Sequence, residues 1–305
     1  MTRELKPLAP KSFKGTGKSS PSVYANRGDL AAGLYILATP IGNARDISLR
    51  ALETLKACDV IAAEDTRVTS KLLAIHGISK PLLAYNDHNG AEIRPKILAR
   101  LQQGQAVALV SDAGTPLVSD PGYKLVRAAI AAGLSVTALP GASAVLVGLT
   151  LSGLPSDRFL FAGFLPAKAG ERKSLLEELK DIRATLIFFE SAQRLAESLP
   201  DMAQVLGDRP GAIARELTKL HEEVRRGSLA ELAAHYEKQG APKGEVTLLV
   251  GPAQQASTDS AKIDAALKAA LAFMPVKAAA EMIAGLTDGS RKQIYARALE
   301  LKNAP

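Results

Sequence analysis

The sequence predicts an α/β protein built on a mainly parallel sheet, because short apolar runs of strand length alternate with segments of helical periodicity between residues 33 and 252. Apolar residues make up 47% of the chain, while aromatic residues make up only 4% and Trp is absent. The core must therefore consist of Leu, Ile, Val and Ala. Aliphatic strands of this kind are typical of a parallel sheet that helices cover on both faces.

Residues 30–150 are predicted to form a first α/β domain with five strands. The strands are expected at 33–39, 60–63, 82–85, 106–110 and 135–139. A helix is expected to begin at Asp46 and to place Leu49, Leu52 and Leu55 on one apolar face. Gly and Pro residues after most of the strands indicate loops at the strand ends.

Residues 151–252 are predicted to form a second α/β domain. A junction at 148–159 should precede it, because Gly153 and Pro155 break the pattern there. The further strands are expected at 159–161, 185–189, 212–214 and 246–250, and the helices near 171–181, 193–206 and 228–238.

Two segments are expected to lie outside these domains. Residues 1–29 are basic and show no hydrophobic period, which predicts a disordered tail. A polar linker at 253–260 should lead to a helical extension at 261–303. The net charge of +7 and the pI of about 9.4 are compatible with a polyanionic partner such as nucleic acid, although many soluble proteins carry a similar charge.

Composition also excludes several classes of protein. Cys58 is the only cysteine, so disulfides within the chain and thiolate metal clusters are excluded, and a buried structural thiol is expected. The four His residues show no paired spacing, so we expect no metal site. No apolar run reaches the ~18 residues that a membrane span requires, and no apolar segment follows the basic N-terminus. We therefore expect a cytoplasmic protein with no membrane partner.

Four loops follow the predicted strands of the first domain and should lie together at one edge of its sheet. They span 39–43, 63–67, 111–122 and 140–144. None contains the Gly-x-Gly-x-x-Gly pattern of a dinucleotide site, and Ser12 stands where a phosphate-binding P-loop needs its first Gly. The loop at 111–122 has two carboxylates and two Pro residues, which favours ligand binding over a structural turn in which Asp120 caps a helix.

Four segments resemble a known family in sequence and in order. They read LYILATPIGN at 34–43, AEDTR at 63–67, VSDAGTP at 110–116 followed by PGY at 121–123, and ARELTKLHE at 214–222. These segments resemble those of the tetrapyrrole methylase superfamily, the class III methyltransferases. Within that superfamily the chain is similar to the ribosomal RNA small subunit methyltransferase I family over about residues 33–252, and more weakly through the C-terminal helices.

The resemblance implies a fold and a reaction. It implies two α/β domains with the cofactor cleft between them, plus C-terminal helices. It implies S-adenosylmethionine as the cofactor and a homodimer as the assembly. The implied reaction methylates the ribose 2′-oxygen of a cytidine, cytidine 1402, in the decoding region of 16S ribosomal RNA. The substrate would be either the free RNA or the small ribosomal subunit.

The resemblance also assigns the cofactor to particular residues. Nine positions match segments that contact the cofactor, namely Ile41, Asp112, Gly114, Thr115, Val118, Ser143, Ala144, Phe189 and Glu245. One departure lies beside them. Residues 190–194 read ESAQR, where the family has Pro-His before the Arg.

Methyl transfer to a ribose hydroxyl gains about 10²–10⁴-fold from a base near the proton, because the hydroxyl is a weak acid. Carboxylates at strand ends make Glu64, Asp65 and Glu216 the catalytic candidates, with Glu190 and His221 behind them. Each has a structural alternative. Glu64 and Asp65 could pair with a neighbouring Arg or cap the next helix, and Glu216 could pair with a neighbouring cation.

RNA contacts are expected from basic side chains near these loops, with a solvated basic surface as the alternative. The candidates are Arg67, Lys71, Arg172, Lys173, Arg215 and Lys219. Two rival functions stay open. One is a methylase that acts on a tetrapyrrole, against which the basic residues and low aromatic content argue. The other is an RNA-binding module without enzymatic activity, which would not bind the cofactor.

Overall fold

The computed structural model describes residues 30–253, 260–287 and 290–303. It contains two five-stranded sheets followed by three helices. The predicted tail at 1–29 and most of the predicted linker lie outside the described residues. None of the described helices combines the length and apolarity needed to cross a membrane.

The first sheet is wholly parallel, as predicted. Its strands are β1 (Gly33–Leu37), β2 (Val60–Ala63), β3 (Leu82–Ala84), β4 (Ala106–Val110) and β5 (Val136–Leu139). They are arranged in the order β3-β2-β4-β1-β5. Every residue of β2 and β4 is buried, which explains why these strands are continuous apolar runs rather than alternating ones.

Four helices cover this sheet on both faces, and two aliphatic clusters form between the layers. The helices are α1 (Leu49–Ala57), α2 (Thr66–Ile75), α3 (Gly90–Gln102) and α4 (Tyr123–Ala131). The apolar face predicted for α1 is wrong at Leu49. The helix begins only after Ser48, whose hydroxyl accepts from the Ala51 N–H at 3.1 Å, so Leu49 occupies the first turn with 79% of its surface exposed.

The predicted junction at 148–159 is wrong in its first part, because helix α5 (Ala144–Ser152) continues through Gly148 and ends at Gly153, whose φ is 74°. Gly148 lies where α5 packs on the second sheet. A Cβ there would lie 3.1 Å from Thr247 Cγ2. The glycine therefore allows a close approach between helix and sheet and does not break the helix.

The second sheet is mostly antiparallel, whereas the sequence predicted a mainly parallel sheet. Its strands are β6 (Phe159–Phe164), β7 (Thr185–Ser191), β8 (Pro210–Arg215), β9 (Glu223–Ser228) and β10 (Glu245–Val250), in the order β6-β7-β10-β8-β9. Only β6 and β7 pair in parallel. Strand β9 was not predicted. It is a charged edge strand that is only half-buried, so it has no apolar run.

Helices α6 (Ala169–Leu179), α7 (Leu195–Leu206) and α8 (Leu229–Gln239) cover one face of this sheet, and α5 covers the other. The predicted C-terminal helices are α9 (Ser260–Leu271), α10 (Val276–Leu286) and α11 (Arg291–Asn303). These three helices share a small aliphatic core that includes Leu267, Ile283 and Ile294.

Candidate active site

A cavity of about 470 Å³ lies between the two sheets. The loops after β1, β2, β4 and β5 line it from the first domain. Strands β6, β7, β8 and β10 line it from the second, together with the segments after β7 and β8 and the residue before β10. Its volume lies within the range of small-molecule sites, about 300–1,000 Å³.

The nine residues that the resemblance assigns to the cofactor all line this cavity. They come from five separate loops or strands, and the fold brings them together. Ala214, Leu217 and Thr247 line the same cavity from the second domain, although they were not among the predicted cofactor contacts. Ala214 and Leu217 lie in the segment 214–222 that resembles the family, and Thr247 lies in the predicted strand at 246–250.

Backbone contacts fix the shape of the first-domain loops. The N–H groups and carbonyls of Thr39 and Gly114 form a reciprocal pair at 2.8 and 3.0 Å. The Thr115 hydroxyl donates to the Ala142 carbonyl at 3.2 Å. Gly114 has a φ of 77°, a conformation that favours glycine. Three loops are thus held together before any ligand binds.

Backbone strain is concentrated beside the cavity. Within the described residues, the only non-glycine residues with positive φ are Leu117, Ser119, Glu216 and Thr218. Two belong to the loop after β4 and two to the loop after β8, and both loops line the cavity. Such conformations cost about 1–3 kcal/mol each and cluster at ligand sites.

The same two domains meet at the rim of the cavity. The Asn43 N–H donates to the Thr218 hydroxyl at 3.2 Å. A Cβ on Gly42 would lie only 2.4 Å from Lys219 Cγ. The loop after β1 therefore lies so close to the second domain that position 42 has no room for a side chain. This contact fixes the two walls relative to each other.

Three carboxylates face one another on the first-domain side. The Asp112 N–H donates to Glu64 Oε2 at 3.3 Å, and Asp112 Oδ1 accepts from the Asp65 N–H at 3.0 Å. Burial raises the pKa of both Glu64 and Asp112. Burial also raises the pKa of Asp120 to about 6, and the charges of Glu64 and Asp112 add to this effect.

The Asp120→Asn variant is expected to be more stable than the wild type near neutral pH. The folded state raises the pKa of this carboxyl, so ionisation of Asp120 lowers stability as pH rises from about 4 to 6, and the cost persists above that range. We expect the melting temperature to rise by ~2–4 °C near pH 7.5 and the gain to vanish near pH 4. Thermal unfolding at several pH values measures this. An equal gain at both pH values would contradict it.

Among the three catalytic candidates, only Glu64 lines the cavity. Asp65 caps α2 by accepting the Arg67 N–H at 2.8 Å, and it also accepts the Arg67 guanidinium. This pairing lowers the pKa of Asp65 to about 2. The structure therefore favours the capping alternative for Asp65, whose carboxylate is engaged and weakly basic.

Glu216 is also engaged. It accepts from Lys219 Nζ at 2.8 Å and from the Glu245 N–H at 3.1 Å, and the Lys219 ammonium lowers the pKa of Glu216. A Cβ on Gly244 would lie 2.4 Å from the Glu216 carboxylate. Glu216 therefore connects the loop after β8 to the start of β10. This arrangement favours the structural alternative for Glu216, in which its carboxylate pairs with a neighbouring cation. His221 is exposed and does not line the cavity.

A partly buried ion pair lies in the segment where the sequence departs from the family. Glu190 and Arg194 form it, and both line the cavity. Glu190 Oε1 also accepts the Ser191 N–H at 2.7 Å. Glu190 Oε2 and Arg194 Nε are buried without a hydrogen-bond partner among the described residues. Glu190 was a candidate base because it lies near the end of a predicted strand. Its ion pair with Arg194 was not predicted from the sequence.

The prediction that Arg172 contacts RNA is wrong. Only 2% of the residue is exposed. Its guanidinium donates to Asp201 Oδ2 at 2.8 Å and to the carbonyls of Pro166 and Ala167. A buried cation with these partners supports the packing of α6 on α7 and cannot reach a phosphate.

Four of the other predicted RNA contacts form ion pairs within the chain. These are Arg67 with Asp65, Lys173 with Asp201, Arg215 with Glu223, and Lys219 with Glu216 and Glu245. Lys71 is exposed, and it forms no ion pair within the residues that the structure describes. These partners reduce the positive charge that the sequence pattern suggested for this surface.

Two family models match the chain. The model for tetrapyrrole (corrin/porphyrin) methylases matches residues 33–233. A second model, for the RsmI C-terminal HTH domain, matches residues 257–302, which include the three C-terminal helices. The first match covers most of the residues that line the cavity, and the second covers nearly all of the helical extension.

Solved structures share the fold. A uroporphyrin-III C-methyltransferase from Thermus thermophilus aligns with a TM-score of 0.53 at 22% identity, over 72% of this chain and 94% of that one. A structure of a Thermus thermophilus enzyme of the same kind, in complex with S-adenosylhomocysteine, aligns with a TM-score of 0.51 at 19% identity, over 72% of this chain and 97% of that one. At these identities the likeness shows the fold alone.

Curated relatives are much more similar. A protein of Mesorhizobium japonicum named ribosomal RNA small subunit methyltransferase I is 55% identical over 90% of this chain and 94% of its own length. One of the same name from Escherichia coli O157:H7 is 46% identical over 88% of this chain and 94% of its own length. The chain therefore belongs to the ribosomal RNA small subunit methyltransferase I family of the tetrapyrrole methylases.

Proposed function

We propose that this protein uses S-adenosylmethionine to methylate the ribose 2′-oxygen of cytidine 1402 in 16S ribosomal RNA. The observation that carries the proposal is that all nine residues assigned to the cofactor line one cavity between the two domains. The names of the relatives support RNA as the substrate, and the neighbour bound to S-adenosylhomocysteine supports the cofactor.

The residues of the cavity suit this cofactor. Phe189 packs edge-to-face against Phe161 and Phe164, with ring centroids 4.8 and 5.4 Å away, and offers an apolar wall to the adenine ring. Thr115 and Ser143 supply hydroxyls for the sugar and the amino-acid part. The first-domain carboxylates complement the cationic groups of the cofactor.

Alignment of oxygen, carbon and sulfur is the main demand of the reaction, because the bound cofactor supplies the methyl group by an in-line displacement. The hydrogen-bonded loops of the first domain, and their contact with the second domain at the rim of the cavity, would hold the two reactants in that alignment. We assign the base to Glu64. Its carboxylate lines the cavity, receives the Asp112 N–H and has a raised pKa, so it can take the proton of the ribose hydroxyl.

The two rival functions have less support. The uroporphyrin-III C-methyltransferase structures that favour a tetrapyrrole substrate are 19 to 22% identical to this chain, whereas relatives named ribosomal RNA small subunit methyltransferase I reach 56% identity. A module without activity would have no use for a cavity with strained loops and buried carboxylates. We further propose a cytoplasmic homodimer, for which light scattering should give twice the 32.0 kDa chain mass.

Methylation mapping tests the proposed function. Small ribosomal subunits from cells that lack the enzyme are incubated with the purified protein and a donor with a labelled methyl group. We expect label in one 2′-O-methylcytidine at position 1402, and none when the donor site is blocked by Ala144→Phe. Label on a base, or no label with the wild type, would contradict the proposal.

A further inference from the structure

A second cavity, of about 160 Å³, lies beside the first. It is formed by the segment after β3, the first turns of α3 and the start of α4. Asp120, in the loop after β4, lines both cavities, so they adjoin at this residue. A chain molecule whose reacting group enters the first cavity can therefore place its next unit in the second.

The second cavity combines an exposed aromatic ring with cations. Tyr123 is 61% exposed, and the Arg127 guanidinium lies 6.0 Å from its ring centroid. Lys124 is exposed and forms no ion pair within the described ranges. Arg94 is half-buried and lines the cavity together with the buried Tyr85. The cavity thus presents a stacking surface beside a free ammonium group.

Acceptors complete the chemistry of the site. Asp87 and Asp120 line the same cavity and can accept hydrogen bonds from hydroxyl or amino groups. A nucleotide offers a flat ring, a phosphate and such donors within one unit. Single-stranded nucleic acid is bound by this combination of aromatic stacking and cationic contact. The cavity has about a third of the volume of the first one, which suits one base and not a tetrapyrrole.

We propose that the second cavity is a subsite for the nucleotide adjacent to the methylated one, with its base stacked on Tyr123 and its phosphate bound by Lys124. The inference rests on the proposed function, because it needs RNA as the substrate. The subsite would also supply a cationic contact to RNA through Lys124. The predicted contacts Arg67, Arg215 and Lys219 form ion pairs and lie outside this cavity.

Kinetics of three variants test the subsite, with small ribosomal subunits that lack the methyl group as the substrate. Tyr123→Ala should raise the KM for subunits by ~10-fold while the Kd for the donor stays unchanged. Tyr123→Phe keeps the ring and should stay within twofold of the wild type. Lys124→Ala should raise the KM by a few-fold and reduce the salt slope of binding by about one. Lys56→Ala, an exposed lysine on α1 outside both cavities, is the matched control and should change neither quantity.

The outcomes separate the two proposals. An active wild type together with a Tyr123→Ala variant whose KM is within twofold of it overturns the subsite and leaves the proposed function intact. Equal losses in Tyr123→Phe and Tyr123→Ala also overturn the subsite, because stacking would then not be responsible. A wild type that transfers no methyl group to the subunits overturns the proposed function and the subsite with it.

Discussion

The Ala144→Phe variant is expected to lose donor binding by at least ~100-fold, about 2.7 kcal/mol, while its fold is retained. Ala144 is the first residue of α5 and lines the wall of the cavity that faces the second domain. A phenyl ring at this position occupies volume that the cofactor needs. Because the residue is only half-buried, the larger side chain fills the cavity without disrupting the core. Isothermal calorimetry with S-adenosylhomocysteine measures the effect.

The matched control is Leu146→Phe on the same helix. Leu146 is 52% exposed and does not line the cavity, so the same aromatic side chain should leave donor affinity unchanged. Circular dichroism and melting curves of both variants establish that they fold. Wild-type affinity in a folded Ala144→Phe variant would show that the donor binds elsewhere.

The Glu64→Gln variant is expected to lower kcat by ~10²–10⁴-fold with little change in donor affinity. Glutamine keeps the shape of the side chain and can still accept the Asp112 N–H, but it cannot take a proton. The wild-type rate should rise with pH as Glu64 ionises, through a pKa that burial raises above the ordinary glutamate value. The variant should show no rise of this kind.

Asp65→Asn provides the control for Glu64. It changes the neighbouring carboxylate, which caps α2 and points its charge at Arg67 rather than into the cavity. We expect a kcat within about threefold of the wild type and a small loss of stability. If Asp65→Asn were as inactive as Glu64→Gln, the assignment of the base to Glu64 alone would be wrong.

The first domain could be predicted well because its strands and loops are determined by short stretches of sequence. The buried strands β2 and β4 are continuous apolar runs, and Gly or Pro residues follow most of the strands, so all five strands were predicted close to their true bounds. Loops at the carboxyl ends of parallel strands must share one edge. The position of Glu64 and Asp112 in one cavity follows from that rule.

The second domain was less predictable because its structure depends on non-local contacts. Strand β9 is a half-buried, charged edge strand, and its identity depends on pairing with β8. Gly148 resembles a helix breaker in the sequence, yet it lies inside α5, where the absence of a side chain lets Thr247 approach closely. Parallel and antiparallel pairing cannot be distinguished from a short apolar run alone.

The ion pairs of the predicted RNA-binding residues also depend on non-local contacts, so the sequence did not predict them. Arg172 lies in a polar stretch and was expected on the surface, but its partner Asp201 is on another helix. Lys219 forms ion pairs with Glu216, which lies in the same loop, and with Glu245, which lies on β10. Ion pairs between distant segments leave no periodic signal. The sequence therefore overestimated the free positive charge around the cavity.

A crystal structure of the protein with S-adenosylhomocysteine tests the central claim most directly. We expect the ligand between the two sheets, in contact with the Thr115 loop on one side and with Phe189 and Glu245 on the other. Its sulfur should face the side of the cavity that Glu64 lines. A ligand found outside this cavity, or held by the residues of one domain only, would contradict the account.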